Sequence, residues 1–289
     1  MIERGNWRRA TSVSGRAGAL ALLLVAVLTG VSATAAESKP KASLAYPGWH
    51  DGPLPDGPVG AAIAHGRRIL SNAPKYAAAY SGNALTCTNC HLDGGRTPAA
   101  APWVGIWGVF PEYRARNAQV NTLTDRINDC FERSLNGKRM PGDAPEMTAI
   151  LTYMQWLSRE VPTGQSVKGR GFLRFDSPQP ASAERGAPLY ADHCASCHGK
   201  NGAGRGTTGN ADFVPPLWGP KAFNIGAGMA RLNNAAAFIK VNMPLGQGGT
   251  LDDQTAFDIA AFVIKQPRPD FALKQQDWPQ GGKPSDARY

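Results

Sequence analysis

The apolar and polar positions of the chain follow one order of segments that occurs twice. In each half a helical pattern comes first, then a loop rich in Gly, Pro and Trp, then two more helical patterns with a Met-Pro pair between them. The predicted helices cover residues 60–70, 124–136 and 145–158 in the first half and residues 182–192, 229–240 and 252–265 in the second. Strand signals are weak throughout. The repeated order indicates an internal duplication and predicts two similar, mainly α-helical domains.

The helix predicted over residues 124–136 carries signals at both of its ends. Thr122 and Asp125 have the spacing of a capping box, in which each residue satisfies a backbone N–H of the other. Gly137 is well placed to end the helix.

Composition then divides the chain into segments. Residues 163–180 are rich in Pro, Gly and polar residues and predict a surface linker between a first domain, residues 36–162, and a second, residues 181–267. The Pro-rich residues 268–289 predict an extended tail that runs over the protein surface.

The first residues have the pattern of a secretory signal peptide. Four arginines precede an uninterrupted apolar run at residues 19–28, and small residues at 32–36 follow as a cleavage site. The run is shorter than the roughly 20 residues of a spanning helix, although an uncleaved anchor is the alternative. We therefore expect a signal peptide at residues 1–35, a periplasmic protein and no membrane insertion.

The charge balance is mildly positive. The whole chain carries +9, and without its first 35 residues, which hold four Arg and one Glu, it carries +6. A mild excess with no basic tract argues for small anionic substrates or an acidic protein partner and against nucleic acid.

The cysteines carry the chemistry. The chain has five cysteines, and four of them stand in two Cys-x-x-Cys-His sequences, the pattern in which two cysteines form thioethers to a c-type haem and the histidine ligates its iron. A redox or zinc site is the alternative for a single copy, but two copies at the same place in a repeated unit favour two covalently bound c-type haems. The residues are Cys87, Cys90 and His91 in the first motif and Cys194, Cys197 and His198 in the second.

Spacing alone does not determine the second protein ligand of each haem iron. Met243 lies 45 residues after the second motif histidine and is the candidate for that haem, whereas Met229 at a predicted helix start favours packing. For the first haem, symmetry selects Met140, but the fifth cysteine, Cys130, lies ten residues before it. A free cysteine also packs as a small apolar residue, so Met140, Cys130 and another ligation stay open here.

The cysteine helix also carries a resemblance. Residues 126–138, Arg-Ile-Asn-Asp-Cys-Phe-Glu-Arg-Ser-Leu-Asn-Gly-Lys, resemble the signature of the bacterial di-haem thiosulfate dehydrogenases. The flanking order matches as well: His65-Gly66, the first haem motif, Tyr113-Arg114-Ala115-Arg116 and Gly228-Met229-Ala230-Arg231.

The resemblance implies two tandem class I cytochrome c-type domains, each wrapped around a covalent c-type haem. It implies that His91 and Cys130 ligate an active-site haem, with Cys130 catalytic, and that His198 and Met243 ligate an electron-transfer haem. Some members have a ligating Lys directly before the distal Met. Here Asn242 stands there, and Lys240 is two residues off.

The resemblance further implies an anion site. Arg126, Cys130 and Ser134 fall at i, i+4 and i+8 and therefore share a helix face. The residues that the resemblance places around the anion are Arg116, Arg126, Ser134 and Lys138.

The implied activity is oxidation of two thiosulfate ions to tetrathionate, with electrons passing from the first haem through the second to a soluble acceptor such as a small cytochrome c. Tetrathionate reduction is the open reverse direction. The alternatives are a di-haem electron-transfer cytochrome without catalytic activity and a haem–thiolate subunit of a sulfur-oxidising complex.

Overall fold

The computed structural model describes residues 52–289. The predicted signal peptide at residues 1–35 and the start of the first domain lie outside the described residues. Within residues 52–289, no helix has both the length and the apolar character needed to cross a membrane.

The first half is built on two long helices that cross closely. Gly66 of the first helix lies so near the Ala149 backbone that an added Cβ would collide with the Ala149 carbonyl. Around this crossing, buried Ile63, Met147 and Ile150 form the core. The helices are α1 (Gly57–Ser71), α2 (Ala73–Tyr76), α3 (Leu92–Gly95), α4 (Leu123–Arg133) and α5 (Pro145–Leu157).

The second half repeats this crossing. Helix α9 packs against α6 and α8, and an added Cβ on Gly186 would collide with the Asp258 carbonyl as one on Gly66 would with Ala149. Since a glycine occupies the same place in both halves, the structure repeats the duplication predicted from the sequence. The helices are α6 (Ala183–His193), α7 (Ala195–His198), α8 (Leu232–Asn242) and α9 (Asp253–Lys265).

A small hairpin leads into α4. Strands β1 (Glu112–Arg114) and β2 (Gln119–Asn121) pair antiparallel, with Tyr113 opposite Val120. The capping box predicted after it is present, because Thr122 Oγ1 accepts from the Asp125 amide and the Asp125 carboxylate accepts from the Thr122 amide.

The helix ends differ in part from the prediction. Helix α4 ends at Arg133, three residues earlier than expected, and Asn136 rather than Gly137 takes the left-handed backbone, with φ 49°. Gly137 is needed for another reason, since a Cβ there would collide with the Tyr80 carbonyl. The helix expected from residue 229 instead starts with a 3₁₀ turn, Gly228–Ala230, and continues as α8.

The tail lies against both halves. Asp277 accepts two hydrogen bonds of 2.8 Å from the buried Arg133 of α4, and Asp286 pairs with Arg231 at 2.7 Å. The tail is therefore an integral part of the fold that braces α4.

Candidate haem and active site

The first haem motif lies in a short 3₁₀ turn, Cys87–Asn89, which Thr86 and Asn89 cap reciprocally. His91 Nδ1 lies 2.6 Å from the Ala101 carbonyl, and its ring lies 4.8 Å from that of Trp103. Burial lowers the pKa of His91 to about 4, and the nearby positive charge of Arg126 acts in the same direction. The imidazole is thus neutral, with Nδ1–H donating to the carbonyl and Nε2 left to bind a metal.

The second motif has the same arrangement. His198, at the end of α7, has Nδ1 3.0 Å from the Pro215 carbonyl. Burial lowers the pKa of His198, and Arg205 adds to the shift. Burial also raises the pKa of Cys194 to about 11, while Cys197 is exposed. Both motifs therefore present two thiols beside an imidazole that a backbone carbonyl orients, the donor set of a c-type haem.

The helix α4 brings Cys130 to the first motif. Burial raises the pKa of Cys90 to about 12 and raises that of Cys87 further, and the proximity of Cys130 contributes to both shifts. Cys130 is therefore near both motif cysteines and is a candidate ligand for a haem that they would hold.

Arg126 contacts that thiol directly. Its Nη1 donates a hydrogen bond to Cys130 Sγ at 3.0 Å, one helical turn away. The same proximity to Cys130 is the main reason why the pKa of Arg126 is raised. The Arg126 guanidinium is thus held against the Cys130 sulfur.

Met140, the alternative distal ligand, lies in the core next to α4. The buried side chain of Asn128 donates to the Met140 carbonyl at 2.9 Å and accepts from the Met140 amide at 2.8 Å. The Met140 side chain is 2% exposed. These bonds hold only the backbone of Met140. They therefore do not decide between Met140 and Cys130 as the second ligand of the first haem.

At the second site, Met243 follows the last residue of α8 and is partly buried. Asn242 cannot ligate as a lysine would and donates to the Phe238 carbonyl at 3.2 Å, and the ammonium of the nearby Lys240 pairs with Asp253 at 3.0 Å. Both contacts favour Met243 as the candidate ligand from this segment.

The other three predicted anion-binding residues, unlike Arg126, have surroundings other than the Cys130 sulfur. Arg116 Nη1 donates to the Gly226 carbonyl at 2.6 Å, and its Nε lies 3.8 Å from Asp277. Ser134 caps α4 through its amide, which donates to the Cys130 carbonyl at 2.8 Å, and Lys138 is exposed. Contact with the sulfur is thus seen for Arg126, and the roles of Arg116, Ser134 and Lys138 stay predictions.

Sequence reasoning missed a second group of charges near Arg126. Burial lowers the pKa of Arg114 on β1, and the proximity of Arg126 lowers it further. Glu112 on the same strand lies 3.6 Å from Arg114 and 3.5 Å from Arg170. The run Tyr113-Arg114-Ala115-Arg116 contained the signal, but the strand that carries Arg114 was not predicted.

Comparisons with known proteins agree with this architecture. Residues 74–163 match the family described as SoxA/TsdA, cytochrome c domain, and residues 181–263 match the family described as cytochrome C oxidase, cbb3-type, subunit III. The fold and both motifs thus define a c-type cytochrome with two tandem cytochrome c domains.

Two related proteins identify the family more narrowly. The chain is 44% identical to a thiosulfate dehydrogenase of Psychrobacter arcticus, over 81% of this chain and 72% of the relative, and 46% identical to one of Allochromatium vinosum, over 75% and 82%. The chain belongs to the thiosulfate dehydrogenase family and is an oxidoreductase with c-type haem-binding domains.

A solved structure supports the same assignment. The thiosulfate dehydrogenase (TsdBA) of Marichromatium purpuratum matches with a TM-score of 0.74 and 38% identity over 78% of this chain. The match spans half of that longer chain. The resemblance and the mainly α, tandem cytochrome c fold predicted from the sequence are confirmed.

Proposed function

We propose that the protein binds two c-type haems and oxidises two thiosulfate ions to tetrathionate at Cys130. The contact between Arg126 and Cys130 Sγ, 3.0 Å long and beside the first haem motif, carries this proposal. The names of four relatives that are 43–46% identical to this chain, each a thiosulfate dehydrogenase, support the substrate.

Both steps of the proposed reaction take place at the Cys130 sulfur. The Cys130 thiolate and the outer sulfur of one thiosulfate form an S–S bond, giving a cysteine S-thiosulfonate and releasing two electrons. A second thiosulfate then attacks that outer sulfur, the bond to Cys130 breaks, and tetrathionate leaves with the thiolate restored. Charge and sulfur balance in both steps, and a thiolate is both the nucleophile and the leaving group.

Repulsion between the substrates is the physical obstacle. Two dianions about 4 Å apart repel each other by about 16 kcal/mol at an effective dielectric constant of about 20. Fixed cations must offset this energy, and Arg126 is one that already contacts the reacting sulfur. Guanidinium groups also match sulfonate oxygens in shape, so Arg114 and Arg116 on the hairpin segment are suited to hold the second anion.

The chain offers a ligand set for each haem: His91 with Cys130, and His198 with Met243. When bound, the haems would supply one-electron acceptors, and ligation by the Cys130 thiolate would give the first haem the lower potential, because thiolate donation stabilises ferric iron. That order of potentials would favour release of the electrons through the second domain to a soluble acceptor such as a small cytochrome c. We place this chemistry in the periplasm, on the pattern of the predicted signal peptide.

One observation favours a second function. Met140 is buried beside α4 with its backbone fixed by Asn128, which suits a His91/Met140 haem in a pure electron-transfer cytochrome. In that case Cys130 would only pack.

Electron paramagnetic resonance of the oxidised holoprotein and of Cys130→Met separates the two functions. A low-spin signal with the small g-spread of thiolate ligation, lost in Cys130→Met together with thiosulfate-dependent reduction of an acceptor, is the expected result. Two His/Met signals that the substitution leaves unchanged, with no thiosulfate-dependent reduction of the acceptor in either protein, would establish the electron carrier instead.

A further inference from the structure

Residues 169–171 of the predicted linker run alongside the loop that follows the first haem motif. The amide of Ala99 donates to the Gly169 carbonyl at 2.7 Å, and the amide of Ala101 donates to the Gly171 carbonyl at 2.8 Å. We call residues 169–171 the clamp segment. Its two bonds hold residues 99–101 of that loop. The carbonyl of Ala101, at the end of this stretch, lies 2.6 Å from His91 Nδ1.

The loop that the clamp segment holds is strained. Ala99 and Ala101 both have left-handed backbones, with φ 59° and 48°. A residue with a Cβ keeps that conformation when its surroundings hold it there. The bonds to Gly169 and Gly171 supply such surroundings, so the direction of the Ala101 carbonyl depends on the clamp segment.

The clamp segment needs its glycines. Gly169 and Gly171 have φ 84° and 79°, which glycine adopts without steric cost. A Cβ on Gly169 would also come within 2.9 Å of the Pro98 side chain, whereas one on Gly171 would meet open space. Gly171 is therefore the position at which backbone conformation alone can be tested.

The clamp segment is fixed at two points, one just before it and one within it. Just before it, Val167 is buried with Val104 and Val161 in a small apolar cluster. Within it, the Arg170 side chain reaches Glu112 of the hairpin at 3.5 Å. It is thereby tied to the body of the first domain and to the strand that carries Arg114.

We propose that the clamp segment is a positioning element for His91, and that it sets the electron donation of this ligand to the first haem. The hydrogen bond from Nδ1 to a carbonyl orients a ligating imidazole and raises its basicity. Moving the Ala101 carbonyl away weakens that donation, which destabilises ferric iron and raises the reduction potential of the first haem. The inference rests on c-type haem binding and is independent of the sulfur substrate.

The test measures the midpoint potential of each haem in the full-length holoprotein by spectroelectrochemical titration. Gly171→Ala is expected to favour reduction of the first haem about tenfold in equilibrium constant, or about 59 mV for one electron, and to leave the second haem unchanged. Gly171→Asn should shift it less, because asparagine tolerates the left-handed region better than alanine.

The matched control is Gly282→Ala in the tail. Gly282 has φ 72° and open space around its missing Cβ, so this substitution introduces the same strain away from the His91 loop. Electron paramagnetic resonance of the first haem should change in Gly171→Ala and stay as in wild type in Gly282→Ala.

Three results would overturn the inference: a first-haem potential in Gly171→Ala equal to that of wild type, an equal shift of both haems, or an equal shift in Gly282→Ala. If Gly171→Ala failed to load haem, Gly171→Asn would decide in the same way, since an unshifted potential in that loaded variant also rejects a role for the clamp segment.

Discussion

Arg126 and Cys130 stand one helical turn apart on α4, with Nη1 of the arginine donating to Sγ of the cysteine at 3.0 Å. The contact keeps a positive charge at the sulfur whether that sulfur is a metal ligand or a nucleophile. Because α4 begins with a capping box and ends against the tail, both residues are held on a braced element. The helix therefore supplies preorganised electrostatics at the place where the proposed reaction would bring two dianions together.

Removing the guanidinium should cost activity more than stability. Arg126→Gln is expected to lower kcat/KM for thiosulfate by about 10²-fold, the typical effect of losing one preorganised donor. Steady-state reduction of an electron acceptor measures it. Arg139→Gln is the control, because Arg139 is exposed and pairs with Asp125 and Glu132 on the outside of α4. Equal losses in both variants would mean that Arg126 acts only through net charge.

The proposed ligation of the second haem by Met243 is tested by two matched substitutions. Met243→Ala should lower the potential of the second haem, because a thioether ligand raises it, and should slow electron release to the acceptor. Met229→Ala, the competing methionine, should leave that potential unchanged. A shift in Met229→Ala alone would assign the ligand to Met229, and redox titration of the two variants decides.

The Asn128 side chain should contribute strongly to stability. Asn128→Ala leaves the buried amide and carbonyl of Met140 without partners, which costs about 2–4 kcal/mol of unfolding free energy. Asn128→Asp should lose at least as much at neutral pH, since it keeps the acceptor for the Met140 amide but sets a buried carboxylate against the Met140 carbonyl, which then has no donor. Denaturant unfolding of the holoproteins measures both, and equal stability of Asn128→Ala and wild type would contradict the role of this contact.

How far the sequence predicts this structure depends on the range of each interaction. The main helices, the capping box at Thr122 and both haem motifs follow from local patterns, and the structure has them. The hairpin did not follow, because three-residue strands carry too little alternation to detect. The partner of Arg133 lies 144 residues away at Asp277, and no local pattern predicts such a pair. Likewise the Pro/Gly composition of residues 163–180 predicted a linker but not its hydrogen bonds to Ala99 and Ala101 in the loop after the first haem motif.

The pair of Arg133 with Asp277 should be one of the strongest contributions to the fold of α4. Side-chain exposure is 10% for Arg133 and 2% for Asp277, so Asp277→Ala removes both 2.8 Å hydrogen bonds of a buried guanidinium, leaves Asp129 at 3.9 Å as its carboxylate partner and should cost about 3 kcal/mol. Asp270→Ala is the control, because Asp270 is exposed and pairs only locally with Lys274. Denaturant unfolding should show a large loss for the first variant and less than about 1 kcal/mol for the second.

Asp258 should make the stability of the second domain depend on acid pH. Although burial opposes ionisation, hydrogen bonds from Arg185 and from the Ser182 amide hold the pKa of Asp258 below its usual value of 3.8. A carboxyl whose pKa is lowered by folding stabilises the protein above the unfolded-state pKa, and this contribution disappears as pH falls through the lower folded-state value. Asp258→Asn should therefore be less stable than wild type at pH 7, and the gap should close as pH falls from about 4 toward 2. A gap in unfolding free energy that stayed constant over that range would show that Asp258 stabilises the α6–α9 crossing by shape and not by charge.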